Sequence, residues 1–204
     1  MTFTDRVHGG YVHRRRVAVL ADELSRLIAP GSSVLDVGSG DGWLASRVRD
    51  AARADVRGID TLVRASTHIA VEPFDGSRIP HADRSFDYVM LVDVLHHTDN
   101  PEVLLKEAAR VARTAVLIKD HLLEGLWANS TLRFMDKVGN ARHGVVLPFN
   151  YWPRARWEEA FRKLGLGATF WKIDLRLYPR IVNWAFGRSL HFIARLEPQR
   201  RVTG

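Results

Sequence analysis

The chain has 204 residues, of which 46% are hydrophobic and 26% charged, so its composition is that of an ordinary globular domain. It contains no cysteine, which excludes disulfides, thiolate zinc sites and cysteine nucleophiles; the absence of a signal-peptide core or a membrane-spanning stretch leads us to expect a cytoplasmic protein. A formal net charge of +7 is compatible with nucleic acid, anionic lipid or an acidic small molecule as partner.

Short apolar strands alternate with amphipathic helices through the first two thirds of the chain. The first helix is predicted from Val17 to Ile28, where Pro30 and Gly31 follow and end it. This alternation predicts a parallel sheet with helices on both faces. The predicted strands are Ser33–Val37, Asp55–Asp60, Phe86–Val92 and Thr114–Lys119, and the helices between them are Trp43–Ala52 and one that begins at Pro101.

The alternation of strands and helices stops after the fourth of these strands. Residues 120–154 contain no predicted strand and are too long for an ordinary connection, so we expect them to hold helices of their own. A helix over Trp157–Leu164 and strands over Ala168–Leu175 and Leu190–Leu196 follow. The chain is therefore predicted to be one domain, residues 1–204, with an N-terminal helical cap at about 1–30 and a substrate-side insertion at about 121–155.

A glycine-rich turn joins the first predicted strand to its helix. Gly38, Gly40 and Gly42 lie in the run VLDVGSGDG, where glycines let the main chain approach a ligand closely. The spacing differs from the dinucleotide pattern GxGxxG, and no GK[ST] follows, which excludes a phosphate loop. Asp60 ends the next strand, where a carboxylate can accept two hydrogen bonds from a ribose diol. A purely structural turn and a solvated aspartate remain open alternatives.

The segments VLDVGSGDG, GID, FDGSRIP and SFDYVMLVDVLHHTDNPEVLLKEAARV occur in this order between Val34 and about Asp120. Together they resemble the class I S-adenosylmethionine-dependent methyltransferases, closest to the small-molecule branch often called type 11. The resemblance implies an α/β, Rossmann-like seven-stranded sheet, mostly parallel with one antiparallel edge strand. Residues 120–151 have no counterpart in the common core of that family, so the acceptor is not implied.

The resemblance also implies which residues bind S-adenosyl-L-methionine. Asp36 and the glycine turn would hold the methionine part, Asp60 the ribose hydroxyls and Asp75 the adenine amino group, while the end of the fourth strand would lie under the sulfonium. The full predicted set is Asp36, Gly38, Ser39, Gly40, Asp41, Gly42, Asp60, Thr61, Phe74, Asp75, Gly76, Val92, Asp93 and Val94.

Three histidines are predicted at the ligand-facing rim of the sheet. His96 and His97 follow the Phe86–Val92 strand, and His121 follows the next strand. Histidine is suited to remove a proton near neutral pH, and His121 is the preferred base. The predicted catalytic residues are His121, Asp120, which would orient it or contact the acceptor, and His97, which would shape the pocket; purely structural roles for these histidines remain open.

A metal site is the alternative interpretation of the acids at these strand ends. Asp93 and Asp120 follow neighbouring strands and could supply two hard-oxygen ligands. His121, however, stands where metal-assisted relatives have a third acid or amide ligand. No metal is therefore predicted.

The predicted insertion mixes aromatic residues with arginine and lysine, which favours either a lid over the acceptor or extra packing at the sheet edge. A lid would suit an apolar or aromatic acceptor with an acidic group. Arg14–Arg16 of the first helix would close the other side. The predicted acceptor-binding residues are His143, Tyr151, Tyr11 and Arg15.

These features predict methyl transfer from S-adenosylmethionine to a small molecule, with O-methylation favoured over N- or C-methylation. Asp93-Val-Leu-His96 replaces the Asp/Asn-Pro-Pro-aromatic tetrapeptide of adenine and glutamine N-methylating relatives, which counts against those substrates. An RNA methyltransferase, suggested by the positive charge, is the alternative enzyme. A protein that binds the cofactor without transferring methyl, as a sensor or partner subunit, is the alternative outside enzymes.

Overall fold

The computed structural model describes residues 3–140, 148–179, 183 and 189–199, and the predicted acceptor residue His143 lies outside these ranges. The described helices are α1 (Phe3–Ser25), α2 (Trp43–Ala52), α3 (Pro101–Val111), α4 (Ala128–Asn140) and α5 (Arg154–Lys163), with a 3-10 turn at Leu95–His97. The described strands are β1 (Ser33–Val37), β2 (Asp55–Asp60), β3 (Val71–Pro73), β4 (Phe86–Val92), β5 (Ala112–His121), β6 (Leu166–Lys172) and β7 (His191–Pro198).

Within the described ranges, seven strands form one sheet in the order β3-β2-β1-β4-β5-β7-β6. Strands β1 to β5 pair in parallel, and β7 runs antiparallel to both β5 and β6. The predicted Rossmann-like, mostly parallel sheet is thereby confirmed. The antiparallel strand lies one place inside the edge, because β6 lies outside it.

Helices cover both faces of the sheet because its central strands are apolar on both sides. Leu35 and Val37 of β1 pack in a core with residues of α3 and α5, whereas Val34 of β1 packs in a second core with residues of α1 and α2. Complete burial of each such side chain contributes about 1.5–3 kcal/mol. These two cores fix the position of the strand ends that carry the candidate site.

Several predicted boundaries are confirmed, and others are shifted. Strands β1, β2 and β4 and helix α2 have the predicted bounds, while α1 begins at Phe3 and the short β3 was not predicted. Strand β5 continues to His121, so Asp120 and His121 lie in the strand and not after it, because β7 pairs with both. The helix expected within residues 120–154 is α4. No helix in the described ranges has the length and apolar character needed to cross a bilayer.

The topology places a crevice at the carboxyl ends of β1 and β4. These strands are neighbours, and the chain leaves β1 toward β2 on one side and β4 toward β5 on the other. In open α/β sheets, ligands bind at such a switch point. The glycine turn follows β1 and the histidine-containing turn follows β4, so both predicted halves of the site lie at this crevice.

Candidate active site

The three glycines of the turn after β1 serve different purposes. Gly38, Gly40 and Gly42 have φ values of +73°, +61° and +71°, a region that glycine adopts without strain. A Cβ at Gly38 would lie 2.5 Å from Cγ2 of Val94, and one at Gly42 would lie 2.6 Å from Cγ1 of Ile69. The nearest atom to a Cβ at Gly40 is 4.0 Å away. Gly38 and Gly42 therefore permit close packing within the chain, whereas a Cβ at Gly40 would meet only the side chain of Arg64, at ordinary contact distance.

Asp60, at the end of β2, is hydrogen-bonded to the glycine turn. Its carboxylate accepts hydrogen bonds from the amide of Gly40 at 2.7 Å and from the amide of Leu62 at 2.8 Å. Each carboxylate oxygen has a second lone pair. Asp60 can thus hold the turn and still accept hydrogen bonds from a ribose diol.

Asp36 is a buried acid for which the described residues provide no counter-charge. The residue is 4% exposed, and burial, followed by the nearby charge of Asp60, raises its pKa to about 7. No hydrogen bond to its carboxylate occurs within the described ranges. A cationic ligand group, such as the ammonium of a methionine moiety, would compensate this carboxylate. The neighbouring Ser39 packs against Gly58 of β2, and its buried hydroxyl has no partner in the described part of the chain.

The loop after β3 forms the outer part of the candidate cofactor site. Oδ1 of Asp75 accepts hydrogen bonds from the amides of Arg78 and Ser77, at 2.7 and 2.8 Å, and these bonds lower its pKa. A Cβ at Gly76 would lie 3.1 Å from Cγ2 of Thr61, so this loop adjoins the end of β2. An open groove of about 380 Å³ runs beside it, lined by Phe74, Asp75, Arg78, Ile79, Pro80 and His81. An aromatic, partly apolar groove of this kind can accept a planar base.

Asp93, at the end of β4, forms ion pairs with two cations. Arg16 of α1 and Lys119 of β5 both contact its carboxylate, and Lys119 is completely buried. Burial alone would raise the pKa of Asp93, but Arg16 and Lys119 outweigh burial and hold it well below its usual value. Both oxygens of Asp93 are therefore engaged by cations.

Asp120 contacts a different histidine from the one expected. Its wholly buried carboxylate accepts hydrogen bonds from Nδ1 of His96 at 2.6 Å, the amide of Leu95 at 3.1 Å and the amide of His121 at 2.7 Å. Burial would lower the pKa of His96, but Asp120 reverses the direction and raises it. Asp120 therefore orients the imidazole of His96, and it reaches His121 only through the main chain.

His121 lies between a histidine and two carboxylates. Its Nδ1 is 3.1 Å from Nδ1 of His191, and its Nε2 is 3.6 Å from Oδ1 of Asp136 and 3.7 Å from Oδ1 of Asp93. Burial, followed by the neighbouring His96, lowers its pKa, so the imidazole is neutral near pH 7. His97 is half-buried, and burial lowers its pKa to about 4.

The segment after β5 covers these histidines. Asp136 of α4 is 6% exposed, and the hydroxyl of Tyr151 donates a hydrogen bond to it. The Tyr151 ring centroid lies 5.8 Å from that of His96 and 5.7 Å from that of His121. The ends of β4 and β5 are thus enclosed by α4 and Tyr151.

The structure brings some of the predicted acceptor-side residues together and separates others. His121, Asp120 and Tyr151 lie in one buried cluster, and His97 lies beside it, with its ring tilted by 46° against that of His96 and the two centroids 4.0 Å apart. Tyr11 is 58% exposed, and Arg15 donates to the carbonyl of Arg176 at 3.3 Å. It is the adjacent Arg16 that reaches the strand ends.

The sequence does not predict four members of the cluster as individual acceptor-site residues. They are Arg16, Lys119, Asp136 and His191, from α1, β5, α4 and β7. Lys119 could be recognised in the sequence, because it lies inside the apolar run AVLIKD and burial of an unpaired lysine is costly. No local sequence pattern indicates Asp136 or His191 as site residues, since their positions depend on the packing of distant segments.

The strand order, with β7 antiparallel between β5 and β6, and the glycine turn after β1 are those of the class I S-adenosylmethionine-dependent methyltransferase fold. Residues 11–169 match the family described as "Methyltransferase domain", and the chain belongs to that family.

Two curated methyltransferases resemble the chain. Methyltransferase GfsG of Streptomyces halstedii is 27% identical over 179 residues, which cover 68% of this chain and 63% of that protein. The 27-O-demethylrifamycin SV methyltransferase of Amycolatopsis mediterranei (strain S699) is 30% identical over 148 residues, which cover 62% of this chain and 53% of that protein. The chain thus spans less than two thirds of the length of either relative.

Solved structures resemble the chain in fold. The PH0226 protein of Pyrococcus horikoshii OT3 has a TM-score of 0.66 and 17% identity, with 92% of this chain and 91% of that chain covered. A SAM-dependent methyltransferase of Aquifex aeolicus has a TM-score of 0.59 and 16% identity, with 86% and 88% covered.

Proposed function

We propose that this protein transfers a methyl group from S-adenosylmethionine to a hydroxyl group of a small, largely apolar acceptor. The observation that carries the proposal is the enclosure of His96, His121 and Asp136, which are 1%, 5% and 6% exposed, beneath the segment after β5. An enclosed polar site suits an acceptor that a pocket can surround. An RNA acceptor would instead be expected to bind an open, basic surface.

The cofactor half of the proposal rests on the fit of the crevice to S-adenosylmethionine. We assign the methionine part to Asp36 and the turn Gly38–Gly42, the ribose to Asp60 and the adenine to the loop around Asp75. When bound, the cofactor supplies a methyl group already activated by a sulfonium. The absence of a close contact at Gly40 among the described residues and the raised pKa of the buried carboxylate of Asp36 support this assignment.

The apolar character of the acceptor is inferred from the covering segment. Leu126 and Trp127, directly before α4, are 87% and 76% exposed. We infer from this exposed apolar pair that the covering segment contacts an apolar ligand. One relative is named for 27-O-demethylrifamycin SV, a small molecule, which agrees with an acceptor of this class.

The hydroxyl proton is proposed to leave through the histidine cluster. Methyl transfer to a neutral hydroxyl is favoured when a group within hydrogen-bond reach removes that proton. His121 is the proposed acceptor of the proton, because burial keeps its imidazole neutral and the carboxylates of Asp136 and Asp93 lie 3.6 and 3.7 Å from its Nε2. Those carboxylates would stabilise the imidazolium. His97 and Tyr151 line the same cluster, while Tyr11, Arg15 and His143 remain predicted acceptor residues.

The proposal is tested with S-adenosylmethionine that carries an isotopic label on its methyl group. The protein is incubated with hydroxylated apolar compounds, with amines of matched size and with RNA, and labelled products are identified by mass spectrometry and NMR. We expect an O-methylated small molecule. Label found only in RNA, or on nitrogen or carbon, would contradict the hydroxyl acceptor.

Replacement of Asp60 with Ala is expected to weaken binding of S-adenosylhomocysteine by about 1–3 kcal/mol, because charge-assisted hydrogen bonds to the ribose are lost. Isothermal titration calorimetry measures the change. Asp55→Ala is the matched control, since Asp55 begins the same strand and its side chain is 69% exposed. An unchanged affinity in Asp60→Ala would remove Asp60 from the ribose site.

A further inference from the structure

We propose that His96, His121 and Asp136 form a binding site for a first-row divalent transition-metal ion of the Zn²⁺ type. The three side chains come from the turn after β4, from the end of β5 and from α4. One potential ligand atom from each lies within 4.8 Å of the other two, and all three residues are buried. Two imidazoles and a carboxylate are a common set of protein ligands for Zn²⁺.

The distances within the cluster fit a shared ion better than they fit hydrogen bonds. Nε2 of His96 is 3.5 Å from Oδ2 of Asp136, and Nε2 of His121 is 3.6 Å from Oδ1 of Asp136. Both separations exceed the ordinary hydrogen-bond range. Two ligands bound tetrahedrally to Zn²⁺ at 2.0–2.1 Å are about 3.3–3.4 Å apart. Small movements of the side chains would therefore complete the site.

The unpartnered nitrogen of His96 is an independent sign of a missing ligand. Nε2 of His96 is buried and has no hydrogen-bond partner in the described part of the chain, although the residue is only 1% exposed. Its other nitrogen, Nδ1, contacts Oδ1 of Asp120 at 2.6 Å. A histidine that bonds a carboxylate through one nitrogen commonly ligates a metal through the other, because the carboxylate fixes its tautomer and orientation.

The surrounding charges also favour a bound cation. Three carboxylates, those of Asp93, Asp120 and Asp136, surround the cluster, and Arg16 and Lys119 both form their ion pairs with the first of them. Imidazole ligands suit Zn²⁺ and its neighbours in the first transition row, whereas Mg²⁺ and Ca²⁺ favour all-oxygen sites.

A metal at this position would give His121 a different part in the reaction proposed above. Three protein ligands would leave one position of a tetrahedral ion open for an acceptor oxygen. His121 would then act as a ligand and not as a base. The metal site and the base role of His121 exclude one another, but methyl transfer itself requires neither, so the metal site and the proposed methyl transfer can fail separately.

The test measures metal binding directly, with neither cofactor nor acceptor present. The full-length protein is stripped with a chelator and titrated with Zn²⁺ by calorimetry, with Co²⁺ as a visible-absorption probe and Mg²⁺ as a comparison. We expect one equivalent of Zn²⁺ or Co²⁺ and much weaker binding of Mg²⁺. His96→Ala and Asp136→Asn should each weaken Zn²⁺ binding at least tenfold, as should Asp120→Asn through His96.

Controls separate the site from adventitious binding and from misfolding. His68→Ala removes an exposed histidine outside the cluster and should keep wild-type affinity. Asp136→Asn is nearly isosteric, so circular dichroism should show a folded variant. Equal Zn²⁺ affinity in the wild type and both ligand variants would overturn the site. Zn²⁺ binding without methyl transfer would count only against the proposed function, and full activity of metal-free protein that binds no Zn²⁺ would overturn only the metal site.

Discussion

Replacement of Asp36 with Asn is expected to stabilise the ligand-free protein at pH 8 and to leave its stability almost unchanged at pH 4. The pKa of Asp36 rises from 3.8 to about 7 on folding, chiefly through burial. Between these values the folded state binds the proton that the unfolded chain has released, so stability falls as pH rises through that window. Such a shift corresponds to about 4 kcal/mol once the pH exceeds 7. Asn carries no charge and avoids this cost.

Urea unfolding of both proteins at pH 4, 6 and 8 measures the effect. The gap between variant and wild type should widen with pH. Asp55→Asn, at the exposed start of the neighbouring strand, should show no such trend. An Asp36→Asn effect of the same size at every pH would attribute the change to packing and not to charge.

The same substitution is expected to weaken cofactor binding and to remove its pH dependence. If the ammonium of the methionine part pairs with Asp36, binding favours the charged carboxylate and releases a proton near pH 7. Wild-type affinity for S-adenosylhomocysteine should therefore rise by up to about tenfold per pH unit below the pKa of Asp36. Calorimetry in buffers of different ionisation enthalpy counts the released protons. A flat wild-type profile without proton release would remove Asp36 from the ammonium site.

The cofactor half could be predicted because its signals are local in the sequence. Strands such as Phe86–Val92 are apolar on both faces, which is typical of a strand buried between helices. The glycine turn and Asp60 each follow a strand directly, so the fold brings them to the same crevice. The motif alone does not show which of the three glycines permit internal packing. Only the structure distinguishes Gly40 from the two that do.

The acceptor half was harder to predict because its contacts join distant segments. The sequence predicts a strand that ends at Lys119. Asp120 and His121 therefore lie outside it, and the alternation of side chains along a strand does not place them. With β5 extended, Lys119 and His121 share one side and Asp120 points away, toward His96. Asp120 was expected to orient the imidazole of His121, but it orients that of His96. Asp136 could not be placed, because the packing of α4 over the strand ends is not encoded in any local pattern.

Replacement of Asp120 with Ala is expected to destabilise the protein by about 3–5 kcal/mol, a large part of the stability of a typical domain. The change leaves three buried donors without their acceptor: the amides of Leu95 and His121 and Nδ1 of His96. A buried donor that loses its partner bears the full cost of desolvation. Urea unfolding at pH 7 measures the loss, and Asp99→Ala, in the exposed loop after the 3-10 turn, should have little effect.

A double substitution distinguishes loss of the His96 contact from loss of the main-chain contacts. His96→Leu in the Asp120→Ala background removes the orphaned imidazole, so the double variant should lose less stability than the sum of the two single variants. Asp120→Asn keeps one acceptor oxygen and should fall between wild type and Asp120→Ala. Additive losses would mean that Asp120 acts chiefly by anchoring the amides of Leu95 and His121, and that the orientation of His96 is set by its packing against His97 and Tyr151.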